Sequence, residues 1–385
     1  MPATKLDVII VGLGAMGSAT AYQLAKRGKK VLGLDRFTPP HAFGSSHGKT
    51  RIIREAYFEH PLYVPLIQRA YELWAELEKE SGRTLFQQTG GLMIGRPEGT
   101  VANGAKRSAE EHGLHHEILA AAEVRRRFPA LQPLDEMVAV WEPRAGILFP
   151  EICIEAHLTM ARQHGAALHT EEPVKRWRPD GNGVRVFTAK GEYPADQLVF
   201  TAGSWIQLLL PDLKLPFVVE RQVQFWFAPR HPAWFQPDRC PIHLWEHEPG
   251  RYFYGFPDLG DGVKVAGHHE GEITGPDSIN RDVAGREVEA MRKVVGKFLP
   301  DANGPLRSAV VCLYTNTPDG HFLIDRHPAH PQVLIASPCS GHGFKFSSVI
   351  GEVLADLLAH GESRFDLSLF RNRERRGLDS EGRFD

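Results

Sequence analysis

Asp7-Val-Ile-Ile-Val-Gly-Leu-Gly-Ala-Met-Gly17 is the most informative segment of the sequence for the fold. Its first half is an apolar, β-branched run of strand length, and its second half is a Gly-x-Gly-x-x-Gly turn. Ser18–Arg27 continues with helical spacing and a small-residue face, Gly28 stops this helix, and Lys30–Asp35 is apolar again. Strand, helix and strand form a βαβ unit, whose two strands lie parallel. Because the apolar runs show no polar alternation, we expect a parallel sheet that is buried on both faces.

The three glycines of this turn have different tasks in a nucleotide-binding unit. Gly12 permits the tight turn from strand to helix, Gly14 lets the backbone approach a pyrophosphate, and Gly17 lets the helix pack against the strand. The first amides of the helix then face the phosphate anions. Asp35 ends the second strand 18 residues after Gly17, close to the place of the acid that binds ribose hydroxyls. The pattern predicts a dinucleotide site but leaves FAD and NAD both open, and the alternative is a glycine-rich turn without a ligand.

The rest of the chain alternates between two kinds of sequence pattern, one typical of the first domain and one typical of an antiparallel sheet. Pro61–Ser81 has the apolar spacing of a long amphipathic helix. Short aromatic-rich strands, typical of an antiparallel sheet, are predicted at Thr89–Ile94, Phe225–Ala228 and Tyr252–Phe256. Strands that resemble the first domain return at Gln197–Thr201 and Gln332–Ser337, and the helical spacing of Phe344–His360 follows. The nucleotide domain is therefore predicted to be interrupted by antiparallel material.

Composition limits the class of partner. The chain has 385 residues, more than one hydrophobic core usually serves, and its net charge of -2 offers no field that attracts nucleic acid or an acidic membrane. No apolar run is long enough to span a bilayer, and no signal-peptide pattern opens the sequence. Four scattered cysteines without a CxxC pair argue against zinc and against a disulfide framework. We expect a cytoplasmic protein with a small-molecule partner.

Four further segments point to a family. They are Gly44-Ser-Ser-His-Gly-Lys-Thr-Arg-Ile-Ile-Arg54, Val263-Lys-Val-Ala-Gly-His268, Cys312-Leu-Tyr-Thr315 and Ser340-Gly-His-Gly-Phe-Lys-Phe-Ser-Ser348. Together with the glycine turn, and in the same order over nearly the whole chain, they resemble the monomeric sarcosine oxidase and N-methyltryptophan oxidase family of FAD-dependent amine oxidases.

The resemblance implies an α/β (α+β) fold, in which a Rossmann-like FAD-binding domain carries an inserted antiparallel-sheet substrate domain. The expected FAD-binding domain is discontinuous and comprises residues 1–85, 145–218 and 318–370. The expected substrate domain comprises residues 86–144 and 219–317, and residues 371–385 form a C-terminal tail. Members of the family act as monomers, so we expect a monomer here.

The resemblance also implies that FAD is covalently bound, through an 8α-S-cysteinyl thioether at Cys312. A thiolate must attack an electron-poor ring position, and His47 and Arg51 match positions near the flavin that could supply a cationic field. A buried structural cysteine is the alternative. The other implied FAD contacts are Gly12, Gly14, Ala15, Met16, Gly17, Asp35, Arg36, Ser45, Thr50, Val174, Gly203, Trp205, Gly341, His342, Gly343, Phe344 and Lys345. No metal is expected.

Arg54 and Lys345 resemble the pair that holds the substrate carboxylate. An arginine fork binds a carboxylate through two parallel hydrogen bonds, and a lysine adds a point charge. The alternative for either residue is a surface ion pair. Tyr254, Tyr314 and, with less support, Trp245 match aromatic residues that wall the substrate pocket, and core packing is their alternative role.

Lys264 resembles the lysine that activates dioxygen above the flavin, where a fixed cation lowers the barrier to electron transfer. His268 matches an active-site histidine and lies on the same face of its strand, because the two positions differ by an even number of residues. With His47 and Arg51 they make up the predicted catalytic group. The alternatives are a solvated lysine and a structural histidine.

The predicted reaction is oxidation of a secondary amino acid by O2 to an imine, which water hydrolyses to an amine and an aldehyde with release of H2O2. Three alternatives stay open: a flavin dehydrogenase of the same fold, an oxidase of a D-amino acid, L-proline, pipecolate or a glycated amino acid, and a nicotinamide-dependent reductase. Ser46, Lys49 and Glu55–His60 depart from the pattern of bacterial sarcosine oxidases, which leaves the identity of the amine in doubt.

Overall fold

The computed structural model describes residues 5–371, and the apolar run at its beginning forms the strand Leu6–Val11. This strand pairs in parallel with Val31–Leu34 on one side and with Glu192–Phe200 on the other. Its last four residues are buried, as the lack of polar alternation predicts. The eight strands of this first sheet are Leu6–Val11, Val31–Leu34, Ala167–His169, Arg176–Asp180, Gly183–Phe187, Glu192–Phe200, Leu323–His327 and His330–Ser337.

The helix after the glycine turn is Ala15–Lys26, which begins three residues earlier than predicted because Gly14 already serves as its N-cap. It packs against the helices Pro150–Gln163 and Ser347–His360. A Cβ atom on Gly351 would lie 2.6 Å from the backbone of Ala19, so glycine is what lets the first and last of these helices approach so closely. Small residues thus set the helix layer over the first sheet.

A second sheet of nine strands is antiparallel except where Ile242–Glu248 runs parallel to Gly91–Gly95. Its strands are Gly91–Gly95, Glu117–Ala120, Val138–Glu142, Val218–Phe227, Ile242–Glu248, Arg251–Asp258, Val263–His268, Glu272–Ile273 and Leu306–Asn316. The aromatic-rich pattern predicts only the last residues of the strand Val218–Phe227, because the polar residues Glu220-Arg-Gln222 interrupt the apolar pattern before them. These polar side chains are nevertheless buried, and Glu220 accepts hydrogen bonds from Gly271 N and Gln222 Nε2.

A small third sheet joins Arg51–Ile53, Phe86–Gln88 and Gly146–Leu148, and it holds the chain segment that leads to Arg54. The long amphipathic helix spans Tyr63–Ser81, two residues shorter than predicted. The last predicted helix begins as the 3-10 turn Phe344–Phe346 and becomes α-helical at Ser347. The remaining α-helices are Thr100–Glu111, Ala121–Arg127, Ile206–Leu209 and Gly285–Phe298.

Strands of the first sheet fall within residues 6–34, 167–200 and 323–337, and strands of the second within 91–142 and 218–316. The antiparallel sheet is therefore inserted between parts of the parallel one; the discontinuous domains and their boundaries stay a prediction. Of the predicted tail 371–385, residues 372–385 lie outside the described part of the chain. No helix within residues 5–371 combines the length and apolarity needed to cross a membrane.

Candidate active site

A cavity of about 520 Å³ is lined by residues of both large sheets and of the connection between Asp35 and Arg54. At one end lies the glycine turn, where Gly12 has a φ of 95° and a Cβ atom would meet Thr201 O at 2.7 Å. Around Gly14 there is no atom within 4 Å of an added Cβ, so this backbone stays open towards a ligand. Gly17 does not line the cavity; its missing side chain lets the helix pack on Gly12 O, as predicted from the motif.

Asp35 braces the glycine turn from the second strand. Its Oδ2 accepts a hydrogen bond from Leu13 N at 2.7 Å, and its Oδ1 accepts one from Phe37 N at 2.8 Å. Burial raises the pKa of this carboxyl above its ordinary value, against the lowering effect of the two amides. The predicted cofactor residues that line the cavity are Gly12, Gly14, Ala15, Met16, Asp35, Arg36, Ser45, Val174, Gly203, Trp205, Gly341, His342, Gly343, Phe344 and Lys345.

Several of the predicted site residues lie on one face of the antiparallel sheet. Gln222 lies directly opposite Cys312, and Gln224, two residues on, lies opposite Ala266. Ala266 in turn lies opposite Tyr254 on its other side. Because paired residues and residues two apart point to the same face, the register brings five predicted site residues to one face. They are Tyr254, Lys264, His268, Cys312 and Tyr314.

Trp245, predicted as a substrate-binding residue, does not line the cavity. It lies opposite Phe253, one position out of phase with Tyr254, and so its ring points to the other face of the sheet. There it is fully buried, stacks on Phe253 with ring centroids 5.5 Å apart, and donates from Nε1 to His243 Nδ1 at 2.8 Å. Its neighbour Leu244, opposite Tyr254, lines the cavity instead.

Lys264 is buried against the loop that contains His47. Its Nζ donates to Gly48 O at 2.7 Å and to Thr50 O and Thr50 Oγ1 at 3.0 Å each. Burial, and next the charge of Arg51, hold the pKa of Lys264 well below its ordinary value. Three acceptors match the three donors of an ammonium group, which favours the charged form. Burial and hydrogen bonding thus oppose each other at this side chain.

The same loop is held by Arg51, which donates to Ser45 O at 2.6 Å and to Thr50 O at 2.8 Å. Its neighbour His47 is buried, and Nε2 of this ring has no hydrogen-bond partner among the described residues. Burial and the charge of Arg51 lower the pKa of His47 to about 3, so its imidazole is neutral. His47 and Thr50 do not themselves line the cavity, whereas Arg51 does.

His268 and Tyr314 form one wall, with His268 Nδ1 and Tyr314 Oη 3.1 Å apart. A Cβ atom on Gly341 would lie 2.6 Å from the Tyr314 ring and 2.7 Å from the His268 ring, so glycine lets its segment close on this wall. Burial holds the pKa of His268 well below its ordinary value and raises that of Tyr254 to about 12. These groups therefore face the cavity uncharged at neutral pH.

Arg54 and Lys345 meet at the far end of the cavity, and a carboxylate already lies beside them. Both oxygens of Glu59 accept hydrogen bonds from Arg54 Nη2, at 2.7 and 2.9 Å. Burial alone would raise the pKa of Glu59, but the charges of Arg54 and Lys345 outweigh burial and hold that pKa below its ordinary value. Burial and the charge of Arg54 lower the pKa of Lys345 to about 7.

Three residues of this site escaped the sequence reasoning. The sequence marks Glu59 and Tyr57 only as members of Glu55–His60, the segment that departs from the family pattern, and the ring of Tyr57 lies 4.3 Å from the guanidinium carbon of Arg54. Gln224 lines the cavity and donates from Nε2 to Cys312 Sγ at 3.2 Å. Its alternation with Val223 and Phe225 is the pattern of a solvent-facing residue, which conceals a polar side chain that faces an internal cavity.

These residues fit the FAD expected from the resemblance. The open backbone at Gly14 and the first amides of its helix suit a pyrophosphate. Near the loop at Gly48, away from the glycine turn, lie two buried polar atoms that have no hydrogen-bond partner among the described residues. They are His47 Nε2 and Gln224 Oε1. Among residues 5–371, His, Cys, Asp and Glu side chains form no group of three that could hold a metal ion.

The family described as FAD dependent oxidoreductase matches residues 7–357. The monomeric sarcosine oxidase of Streptomyces avermitilis is 48% identical over 369 residues, which cover 94% of this chain and 96% of that protein. The N-methyl-L-tryptophan oxidase of Salmonella agona is 35% identical over 370 residues, which cover 95% of this chain and 98% of that protein.

Among solved structures, the L-proline dehydrogenase of P. horikoshii superposes with a TM-score of 0.84 at 23% identity, covering 97% of this chain and 98% of that one. At this level of identity the similarity concerns the fold alone. Together with the family match it confirms the predicted fold class, an FAD-binding Rossmann-like part combined with an antiparallel sheet.

Proposed function

Since the chain belongs to the FAD dependent oxidoreductase family, in its branch of monomeric sarcosine and N-methyl-L-tryptophan oxidases, we propose that it oxidises an N-methyl amino acid. The amine loses two hydrogens to give an imine, and water hydrolyses the imine to a primary amino acid and an aldehyde. O2 takes up the two electrons and two protons and leaves as H2O2. For sarcosine the products are glycine and formaldehyde.

The observation that carries this proposal is the carboxylate of Glu59 on Arg54. Glu59 is a largely buried anion, with its side chain 14% exposed, that accepts two hydrogen bonds from Arg54 Nη2. Because the cations around it also lower its pKa, this end of the cavity stabilises a carboxylate. The carboxylate of an amino acid substrate has the same charge and geometry. We propose that it displaces Glu59 and binds Arg54 and Lys345.

FAD, when bound, supplies the redox chemistry, because it accepts a hydride equivalent from the C–H bond beside the amine nitrogen. The protein binds and orients the substrate. Arg54 and Lys345 hold the carboxylate, and Tyr254, Tyr314 and His268 enclose the rest of the molecule. Since these three side chains are uncharged, none of them is a strong base, and the reactive form is proposed to be the neutral amine.

Lys264 is proposed to favour the reaction with O2. Reduction of O2 begins with transfer of one electron, which creates an anion, and a fixed cation nearby stabilises it. The three acceptors around Nζ hold the ammonium group in one place, so that little reorganisation is needed when the charge develops. His47 and Arg51, on the adjacent loop, complete the proposed group that surrounds the flavin.

The reaction is tested by an assay of peroxide release over a panel of amines. Sarcosine and other N-methyl amino acids are expected to be oxidised, and L-proline, pipecolate, D-amino acids and glycated amino acids serve as competing classes. A parallel assay replaces O2 by an artificial electron acceptor under anaerobic conditions. Turnover with the acceptor but not with O2 would identify a dehydrogenase, and no turnover of any N-methyl amino acid would contradict the proposal.

We further propose that FAD is covalently bound to Cys312. Protein that is precipitated with acid and washed is then expected to stay yellow, because a thioether survives denaturation whereas non-covalent contacts do not. The measurement is the flavin absorbance of the redissolved pellet, with the Cys312→Ser variant as the control that must lose its colour. A colourless wild-type pellet with free FAD in the supernatant would show that no bond forms.

Assembly and compartment are also proposals. The four cysteines are all free, which supports a reducing compartment such as the cytoplasm. The relative from Streptomyces avermitilis is named monomeric, and we propose the same state here. The predicted domain boundaries at residues 85, 144, 218 and 317 are consistent with the segments over which the two large sheets are distributed.

A further inference from the structure

The amide of Gln224 is in direct contact with the sulfur of Cys312. Its Nε2 donates to Cys312 Sγ at 3.2 Å, and both residues are 1% exposed. The register explains the contact: Val310, opposite Gln224, is two residues from Cys312, so the two side chains are diagonal neighbours on one face. We propose that Gln224 is a positioning residue that holds this sulfur for attachment of the flavin, an inference that rests on the covalent bond proposed above.

The other end of the amide is unsatisfied. Gln224 Oε1 is buried and has no hydrogen-bond partner within the described residues. It lies against Gly48, where a Cβ atom would come within 2.0 Å of it, so the glycine makes room for this amide. Buried polar atoms without partners are rare in proteins and call for an explanation. Here the residue lines the cavity proposed for FAD, which places the unsatisfied amide beside the ligand site.

A primary amide can serve both protonation states of a thiol. Rotated by half a turn, Gln224 presents Oε1 as the acceptor of the S–H proton; in the present orientation Nε2 donates to the sulfur, as a thiolate requires. Among the described residues, Gln224 is the one that donates a hydrogen bond to this sulfur. Lys264 and Arg281 interact with it electrostatically, without a hydrogen bond.

Attachment of the flavin to Cys312 forms one carbon–sulfur bond, breaks two bonds to hydrogen and moves two electrons. The Cys312 sulfur forms a bond to the 8α carbon, the S–H bond and one C–H bond of the 8α methyl group break, and both protons pass to the ring system. The ring system gains the two electrons and is thereby reduced. O2, the oxidant of the proposed reaction, then removes two electrons and two protons as H2O2 and restores the oxidised ring.

The test is reconstitution of cofactor-free protein with FAD, in which the covalently bound fraction is followed over time by the mass of the protein chain. Gln224→Leu keeps the volume of the side chain but removes the donor, so attachment is expected to be about 10- to 100-fold slower, since a hydrogen bond to a charged group is lost. Gln224→Met is made in parallel as a more flexible apolar replacement.

Gln222→Leu is the matched control, because Gln222 lies directly opposite Cys312 but donates to Glu220 Oε1 and not to the sulfur. In a Cys312→Ser background, quenching of flavin fluorescence gives the non-covalent affinity for FAD, so that attachment rates are compared at FAD concentrations that saturate each variant.

The inference is overturned if both Gln224 variants attach FAD as fast as the wild type, or if Gln222→Leu slows attachment equally. It is also overturned if the attachment rate of Gln224→Leu equals that of the wild type once FAD saturates both proteins, which would indicate a role in FAD binding alone. Wild-type protein that never gains the mass of FAD would instead refute the covalent bond itself, so the two failures are distinguishable.

Discussion

Replacement of Lys264 by methionine is expected to slow the reaction of the reduced enzyme with O2 by about 100- to 1,000-fold, the cost of removing a preorganised electrostatic group. Reduction of the enzyme by the amine is expected to change by less than about threefold, since Lys264 is assigned no part in it. The difference arises because negative charge develops on oxygen only in the second half-reaction. Methionine has a similar length and fills the space between the rings of Trp226 and Phe256, which lie 5.2 and 4.9 Å from Nζ.

The two half-reactions are separated by rapid mixing, first of oxidised enzyme with amine in the absence of O2, then of reduced enzyme with O2. Lys297→Met is a suitable control, because Lys297 also lies over an aromatic ring, that of Phe298, but belongs to an exposed helix face away from the cavity. Equal slowing of both half-reactions in Lys264→Met would mean that the residue supports the loop at Gly48 and does not act on O2.

Replacement of Arg54 by methionine is expected to lower kcat/KM for an N-methyl amino acid by roughly 30- to 900-fold. The estimate converts about 2–4 kcal/mol, the usual cost of removing one partner of a buried, hydrogen-bonded charge pair. The same change leaves Glu59 as a buried charge without its partner, which destabilises the fold. The informative variant is therefore Arg54→Met combined with Glu59→Gln, in which this charge is removed as well.

Glu59→Gln alone is the matched control for the double variant. It keeps Arg54 and removes the competing carboxylate, so kcat/KM is expected to be equal to that of the wild type or higher. A secondary amine without a carboxylate provides a second control, because its oxidation is expected to be insensitive to Arg54. If the double variant oxidises both kinds of amine at wild-type kcat/KM, the carboxylate binds elsewhere.

Arg54 and Glu59 show which contacts of the site a family segment reveals and which contacts it does not. The segment that ends at Arg54 marks the arginine for carboxylate binding, and the structure adds that Glu59, five residues on, accepts its hydrogen bonds. Nothing in the spacing of the two positions indicates this contact, because the chain between them is neither helix nor strand. Competition between an internal and a substrate carboxylate is thus a consequence of the loop conformation.

The parts of the fold that the sequence predicts correctly are those whose pattern lies within one short segment of the chain. The strand, glycine turn, helix and acid of the first 35 residues form one continuous pattern along the chain, which is sufficient to predict the βαβ unit and its nucleotide site although the unit packs mainly against distant segments. The shared face of Lys264 and His268 follows in the same way from the two-residue period of a single strand.

Which side chains face the cavity depends on the register between strands that are distant in sequence, and only the tertiary structure shows that register. The sequence marks Trp245 as a pocket residue and leaves Leu244 unremarked, but pairing with Arg251–Asp258 turns Leu244 to the cavity and Trp245 to the core. The contact of Gln224 with Cys312 likewise requires strands 88 residues apart to pair in one register. A shift by one residue would exchange the faces of such a strand, and this choice is made by the packing of the whole sheet.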